Sequence, residues 1–338
     1  MNLAKMGMFK MGSPLKAVDP ALSEHYERDR MLFWKMKPNA LIDVNTRGHR
    51  GPARNFVKPQ NTCRIIVLGD SCAFGWNVRN QDTYSYLLEK KLNELMTKKI
   101  EVINSGIPGY SSLQGLRYFT GEGRHYAPDI ALVAFGFNDL VEAVGCKDSK
   151  IPISPPWAVA LEKYLIKSRS YVFLKRLILS NKYGRQQHYL SICGLNGLNV
   201  NKLRALDIDK IKDLDLLIFT QSIKLKNAPL RRVPPQDFAD NIVNLIECGR
   251  KNNVRMILLT LPSINKCFGY QTMLKLLASN YGVELIDLIY EFEKRNALTQ
   301  DFFVDNNHYN ENGHQLVAEI ICQYLGGAKA GNNVERQK

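Results

Sequence analysis

The sequence lacks the residue patterns that identify most metal, disulfide and nucleotide sites. Its seven cysteines are scattered and odd in number, and no two form a C-x-x-C pair. This spacing predicts neither a zinc knuckle nor a disulfide framework, and we expect free thiols in a reducing compartment. No G-x-G-x-x-G or Walker sequence follows a predicted strand, which disfavours dinucleotide or nucleoside triphosphate binding.

Long apolar runs are also missing. A membrane-spanning helix needs roughly 18 or more apolar residues, and no stretch approaches that length. The N-terminal residues 1–20 carry positive charge but lack an apolar region of the length that export signals have. These two absences predict a cytoplasmic protein, with peripheral membrane association as an open alternative.

Basic residues outnumber acidic residues, and most of the excess positive charge lies in one segment of the chain. The chain has 46 Lys and Arg against 32 Asp and Glu, a formal net charge of +14. Residues 152–232 alone hold 15 basic and 5 acidic residues, a net charge of +10. Inside this segment, the basic and aromatic run 163–186 has helical periodicity, which predicts an amphipathic helix with a solvated basic face. Contact with an anionic membrane or an acidic polysaccharide is an alternative for this run. No nucleic-acid-binding module is recognisable.

On both sides of that segment, apolar strands alternate with amphipathic helices. Strands are predicted at 64–68, 100–103, 130–135, 255–261 and 283–288. Helices are predicted at 83–98, 113–123, 237–252, 270–281 and 312–325. Unbroken apolar strands suit a parallel sheet that is covered on both faces. The predicted fold is therefore α/β, a three-layer α/β/α sandwich with a mostly parallel, five-stranded sheet.

The same pattern divides the chain into three parts. Residues 1–60 are predicted to form an irregular N-terminal arm, because prolines interrupt them repeatedly. Residues 61–330 are predicted to form one domain, with a helical basic insertion at about 145–235. Residues 331–338 form a tail.

Four polar clusters follow predicted strands or precede the last helix. They are Gly69-Asp70-Ser71, Asn104–Ser112, Phe135–Asp139 and Asp305–His314. Because reactive groups in such folds gather outside the carboxyl ends of the parallel strands, we expect all four clusters to meet at one rim of the sheet.

These clusters contain the groups that acyl transfer needs. The Ser71 hydroxyl becomes a strong nucleophile only when a base takes its proton, and His308 is the candidate base. Asp305, three residues earlier, can hold the imidazole tautomer and stabilise the imidazolium. The N–H groups of Ser71 and Gly109 and the side-chain amide of Asn138 are candidate donors to an oxyanion.

In this combination the chain resembles the SGNH hydrolases, also called GDSL-type esterases and lipases. The resemblance rests on G-D-S at Ser71, the glycine of the second cluster, G-x-N-D at Gly136–Asp139, and D-x-x-H at Asp305–His308. It covers about residues 40–325, with the insertion poorly matched. The family's oxyanion glycine maps onto Gly109, with Gly106 as the alternative. At the position of Cys72, family members often carry a larger apolar residue.

The resemblance implies a serine esterase with a flavodoxin-like sheet, no cofactor and no metal. The lead-in Asn45–Gly51 is similar to that of bacterial envelope-polysaccharide-associated members, which suggests a short acyl ester such as an O-acetyl group on a glycan. Acyl transfer to a sugar, or action on a lysophospholipid or lipid, would use the same site. A catalytically silent binding module of the same fold is a further alternative. Oligomeric state is not predicted.

Three other interpretations concern residues near these clusters. His314 is an alternative base, although its position in the last helix favours a packing or capping role. The acidic cluster could instead bind metals, but the D-x-H and G-N-H-D sequences of metallophosphatases are absent. Arg231 and Arg232 lie just before the sheet resumes and are candidates to reach the rim.

Overall fold

The computed structural model describes residues 25–39, 43–143, 146–175, 230–265 and 269–326. The predictions for most of the insertion, for the second half of the run 163–186 and for the tail 331–338 lie outside the described residues.

The strands are Tyr26–Asp29 (β1), Phe33–Met36 (β2), Thr62–Gly69 (β3), Lys99–Asn104 (β4), Ile130–Ala134 (β5), Arg255–Leu259 (β6) and Glu284–Ile286 (β7). The helices are Ser71–Phe74 (α1), Tyr84–Leu95 (α2), Ser112–Gly121 (α3), Pro156–Leu165 (α4), Pro235–Lys251 (α5), Gly269–Asn280 (α6), Leu288–Lys294 (α7) and Glu311–Gly326 (α8). Short 3₁₀ turns lie between some of them.

Five strands form one parallel sheet in the order β4-β3-β5-β6-β7. β3 and β5 lie at its centre, with Val67 paired to Leu132. The first strand of this sheet in sequence, β3, lies in its interior, and the next strand, β4, forms one edge. The chain then crosses back to β5 and continues through β6 to β7 at the other edge. This order confirms the predicted α/β fold and places the carboxyl ends of β3 and β5 side by side.

The alternation of side chains along each strand builds two separate cores. In β3, Ile65 and Val67 pack with α2 and α8, whereas Ile66 and Leu68 pack with α3, α5 and α6. Successive residues of a strand point to opposite faces, so a sheet covered twice needs apolar residues at every position. Each fully buried aliphatic side chain stabilises the fold by about 1.5–3 kcal/mol.

Local capping explains where the helices near the site begin. The Thr83 side chain accepts the Tyr86 N–H at the start of α2. At the start of α3, Ser111 and Gln114 form a capping box, in which the Gln114 side chain accepts the Ser111 N–H at 3.1 Å. Such reciprocal bonds satisfy N–H groups that have no partner inside the helix.

Two features differ from the sequence-based expectation. The arm contains an antiparallel hairpin, β1–β2, in a stretch expected to be irregular. The last strand is shorter than 283–288, because the Asp287 side chain accepts the Tyr290 N–H and starts α7 there. The apolar residues before Asp287 belong to the end of the strand, and those after it belong to the start of the helix. No change of period in the sequence separates the two.

Within the described residues, no helix combines the length and the apolar character required to cross a membrane.

Candidate active site

Ser71 lies where the central strand β3 turns into the short helix α1. Asp70 leaves the strand, and its Oδ1 accepts the Cys72 N–H at 2.9 Å, which starts the helical turn. Gly75, with φ of +81°, ends it. A Cβ on Gly69 would come within 2.6 Å of the Ala73 side chain. The small residues around Ser71 therefore allow a tight strand-to-helix turn that presents the hydroxyl at the sheet edge.

A continuous chain of hydrogen bonds joins Asp305, His308 and Ser71. His308 Nε2 lies 2.8 Å from Ser71 Oγ, and His308 Nδ1 lies 2.7 Å from Asp305 Oδ2. The His308 side chain is 15% exposed and that of Asp305 is 50% exposed. The structure thus brings all three predicted residues together, although Ser71 is separated from the other two by more than 230 positions in sequence.

The Asp305 carboxylate is fixed by its own loop. Its Oδ1 accepts the N–H groups of Asn307 and His308 at 2.8 and 2.9 Å. Burial raises the pKa of Asp305, but the hydrogen bond and charge of His308, with the two N–H groups, outweigh it and lower the pKa to about 2. The carboxylate is therefore ionised at any pH near neutral, as an imidazolium partner requires.

The loop that carries His308 is attached to the rest of the domain at several points. Phe303 and Tyr309 pair across its base, and the Ser263 hydroxyl bonds to Asn307 Oδ1 at 2.7 Å. The Cys72 thiol contacts the Asn307 carbonyl at 3.3 Å. Cys72 is buried next to Ser71, so its thiol links the Ser71 turn to the His308 loop.

Asn138 is connected to the Ser71 turn through Asp70. Its Nδ2 donates to Asp70 Oδ2 at 3.1 Å, and Asp70 is 1% exposed. Burial raises the pKa of Asp70, although its hydrogen bonds from Cys72 and Asn138 oppose the shift. An amide nitrogen carries two N–H bonds, so the bond to Asp70 fixes its direction and leaves the second for another acceptor.

The two glycines of the second cluster have different environments. Gly106 donates its N–H to Asn104 Oδ1 at 3.0 Å, and a Cβ there would come within 2.5 Å of the Phe74 nitrogen. Gly106 therefore permits close packing against α1. Gly109 has φ of +83°, and its carbonyl accepts a hydrogen bond from Arg232 Nη1 at 2.7 Å. The structure thus connects one of the two arginines predicted to reach the rim with the Gly109 turn.

His314 lies away from the Ser71 hydroxyl. It is fully buried in the first turn of α8, where its Nδ1 accepts the Tyr84 N–H at 3.2 Å and its ring stacks on Tyr84. Burial lowers the pKa of His314 to about 3, so the ring stays neutral. Of the two candidate histidines, only His308 contacts Ser71.

Sequence reasoning missed the supporting role of the lead-in Asn45–Gly51. Arg50 donates to the carbonyls of Gly75 and Val78, at 3.3 and 2.6 Å, and so holds the end of the α1 turn. His49 is buried and bonds to the Tyr118 hydroxyl at 2.9 Å. The resemblance of the lead-in to family members was a signal, but only the structure shows what the two side chains contact.

Among the described residues, no group of three or more His, Cys, Asp or Glu side chains is arranged to hold a metal ion.

Part of the chain matches a known protein family. Residues 67–165, which contain Ser71, Gly109 and Asn138, match the GDSL-like lipase/acylhydrolase family. No curated protein matches the sequence of this chain.

Several solved structures are similar over 78% of this chain. A lipase/acylhydrolase from Enterococcus faecalis is 15% identical, with 96% of its chain covered and a TM-score of 0.45. An acetyl xylan esterase is 17% identical, with 99% covered and a TM-score of 0.43. A catalytic mutant of an acetylxylan esterase from Geobacillus stearothermophilus is 13% identical, with 94% covered and a TM-score of 0.43. Residues 67–165 of the chain therefore match a family of GDSL-like lipases and acylhydrolases, and the five-stranded parallel sheet is the predicted α/β fold.

Proposed function

We propose that this protein is a serine esterase that hydrolyses short O-acyl esters through an acyl-enzyme on Ser71. The observation that carries the proposal is the hydrogen-bonded series Asp305–His308–Ser71, with heavy-atom distances of 2.7 and 2.8 Å. This is the arrangement in which a nucleophile, a base and an orienting carboxylate act together.

In the first half of the reaction, Ser71 Oγ attacks the acyl carbon while His308 Nε2 takes the hydroxyl proton. The imidazolium that forms is stabilised by the ionised Asp305, to which Nδ1 donates. His308 then gives the proton to the oxygen of the leaving alcohol as the tetrahedral intermediate collapses. The products of this half are the free alcohol and an acyl group on Ser71.

The negative oxygen of the tetrahedral intermediate needs preorganised donors. We assign this role to the N–H groups of Ser71 and Gly109 and to the Asn138 amide. The Asn138 side chain is supported in this role by its bond to Asp70, which fixes the amide before substrate binds. Removal of one such donor costs about 2.7–4 kcal/mol of transition-state stabilisation in a comparable enzyme.

In the second half, water takes the place of the alcohol. His308 removes a proton from the water as it attacks the acyl carbon, and the same donors stabilise the second intermediate. Collapse releases the carboxylic acid and returns the proton to Ser71 Oγ. A sugar hydroxyl in place of water would make the same site an acyltransferase.

For the substrate, we propose an O-acetyl or other short acyl ester on a glycan. The similarity of the lead-in Asn45–Gly51 to that of envelope-polysaccharide-associated proteins supports this class. The Trp76 ring also lies beside His308, with centroids 6.1 Å apart and planes tilted by 32°. An indole face at the rim provides a flat apolar surface on which a sugar ring can rest.

The test is hydrolysis of p-nitrophenyl acetate, butyrate and octanoate by the wild type, by Ser71→Ala and by the exposed control Ser149→Ala, with and without EDTA. We expect the wild type and Ser149→Ala to hydrolyse acetate fastest, with no effect of EDTA, and Ser71→Ala to be inactive. A preference for octanoate would instead favour a lipase. Equal activity of Ser71→Ala and the wild type would refute the serine mechanism, and activity that EDTA abolishes would favour a metal site.

A further inference from the structure

The turn at Gly109 is held between two side chains from outside the strand–helix core. Trp34 comes from β2 of the N-terminal hairpin, and Arg232 comes from the stretch just before α5. We propose that Trp34 and Arg232 are positioning residues that fix the direction of the Gly109 N–H. This inference rests on the proposed function, in which that N–H donates to the oxyanion.

Trp34 acts on the peptide unit that contains the Gly109 N–H. Its Nε1 donates to the Pro108 carbonyl at 3.3 Å. The Pro108 carbonyl and the Gly109 N–H belong to one planar trans peptide, in which they point in opposite directions. Because both bonds lie in this plane, a hydrogen bond that fixes the direction of the Pro108 carbonyl also fixes the direction of the Gly109 N–H.

Arg232 acts on the next peptide unit. Its Nη1 donates to the Gly109 carbonyl at 2.7 Å, and its guanidinium lies over the Trp34 ring, 5.5 Å from the centroid. The two successive peptide units on either side of the Gly109 Cα are thus each held by one side chain, and the two side chains contact each other. With both planes fixed, the backbone angles of Gly109 have little freedom.

The Arg232 guanidinium is itself held firmly. Its Nε and Nη2 bond to the two carboxylate oxygens of Asp148, at 3.2 and 2.9 Å, and Nη2 also donates to Gln114 Oε1 at 2.8 Å. The Arg232 side chain is 14% exposed and that of Asp148 is 4% exposed. A planar guanidinium with bidentate contacts has one orientation, which a lysine cannot reproduce.

Trp34 is anchored to the turn by further contacts. The Tyr110 hydroxyl donates to the Trp34 carbonyl at 2.7 Å. A Cβ on Gly109 would lie 3.1 Å from Trp34 Cζ2, so the indole packs directly on the glycine. The glycine is required both by its φ of +83° and by this close approach.

A donor aligned before the reaction stabilises the transition state without reorganisation during it. The hairpin and the Arg232 stretch therefore complete the active site, because the core alone supplies Gly109 but neither of the side chains that hold its turn.

The test uses three variants and two readouts. Trp34→Phe keeps an aromatic ring but removes the Nε1 donor, and Arg232→Lys keeps the charge beside Asp148 but loses the planar fork. Trp157→Phe changes an exposed tryptophan on α4, 68% exposed, and is the matched control. The first readout is the rate at which an alkyl fluorophosphonate modifies Ser71, a reaction in which the P=O oxygen occupies the oxyanion site. The second is the ratio of ester to thionoester hydrolysis, because sulfur accepts hydrogen bonds poorly.

We expect the fluorophosphonate to modify Ser71 about tenfold to 100-fold more slowly in Trp34→Phe and in Arg232→Lys than in the wild type. This range is typical of a misplaced reacting group. For ester hydrolysis, kcat should fall while KM changes little, and the ester-to-thionoester ratio should fall as well. Trp157→Phe should match the wild type in every readout.

The outcomes separate this proposal from the function on which it rests. Suppose that the fluorophosphonate modifies Ser71 of the wild type, and that it modifies Trp34→Phe and Arg232→Lys as fast as the wild type. The positioning role is then wrong and the esterase proposal stands. Slower modification of Ser71 in the two variants, with an ester-to-thionoester ratio equal to that of the wild type, would also overturn the positioning role. If Ser71 of the wild type is not modified, the proposed function fails and the positioning role fails with it.

Discussion

Asp139 illustrates how a single buried carboxylate is tied to the site. It follows Asn138, is fully buried, and accepts the N–H and the hydroxyl of Ser112 at 2.9 and 2.5 Å. These bonds hold the start of α3 against the turn that carries Asn138. Burial nevertheless raises the pKa of Asp139 to about 7, because desolvation of the charge outweighs the Ser112 bonds.

This shift predicts a pH-dependent contribution to stability. The pKa of Asp139 in the folded protein lies above the unfolded value, so its contribution to stability is fully present below about pH 4 and is lost as pH rises to about 7. Asp139→Asn has no such titration. We expect the free energy of unfolding of Asp139→Asn, relative to the wild type, to increase between pH 4 and 7 and to level off above. Urea unfolding at several pH values measures this difference, and a difference independent of pH would contradict the assignment.

At the scale of elements, the lead-in Asn45–Gly51 acts as a brace for the turn that carries Ser71. The backbone of Arg50 pairs with Asn104 at the end of β4, and its side chain holds the carbonyls of Gly75 and Val78. Its guanidinium also lies over the Phe74 ring, 4.8 Å from the centroid. One residue thereby joins the edge of the sheet to the end of α1.

Arg50→Met should therefore destabilise the protein by about 2–3 kcal/mol, since it removes charge-assisted hydrogen bonds to buried carbonyls. Arg47→Met is the matched control in the same stretch, because Arg47 is exposed and lies over the Phe56 ring. The control should stay within about 0.5 kcal/mol of the wild type. Denaturant unfolding compares the two variants, and equal stabilities would show that the brace contributes nothing.

The regular elements were predictable because they follow a period. The five strands and the helices of the domain were predicted to within a few residues, since apolar runs and helical spacing mark them. The exceptions are informative. The start of α7 at Leu288 overlaps the predicted strand 283–288, and the β1–β2 hairpin has strands of only four residues each, too short to establish a period.

At the scale of the whole molecule, the site is assembled from distant parts of the chain. Ser71 and His308 could be predicted because each lies in a short motif at a predicted strand end or helix start. The contacts of Trp34, Arg50 and Arg232 could not be predicted, because a side chain that bonds to a distant backbone carbonyl leaves no local pattern. The fold and the proximity of Ser71, His308 and Asp305 were thus accessible from sequence, and the residues that hold them in place required the structure.

The measurement that tests the central claim most directly is mass analysis of the enzyme quenched during turnover of p-nitrophenyl butyrate. Ser71 should carry one butyryl group in the wild type, and the same peptide of Ser71→Ala should carry none. An enzyme that turns over the ester with no acyl group on Ser71, or with the group on another residue, would contradict the account.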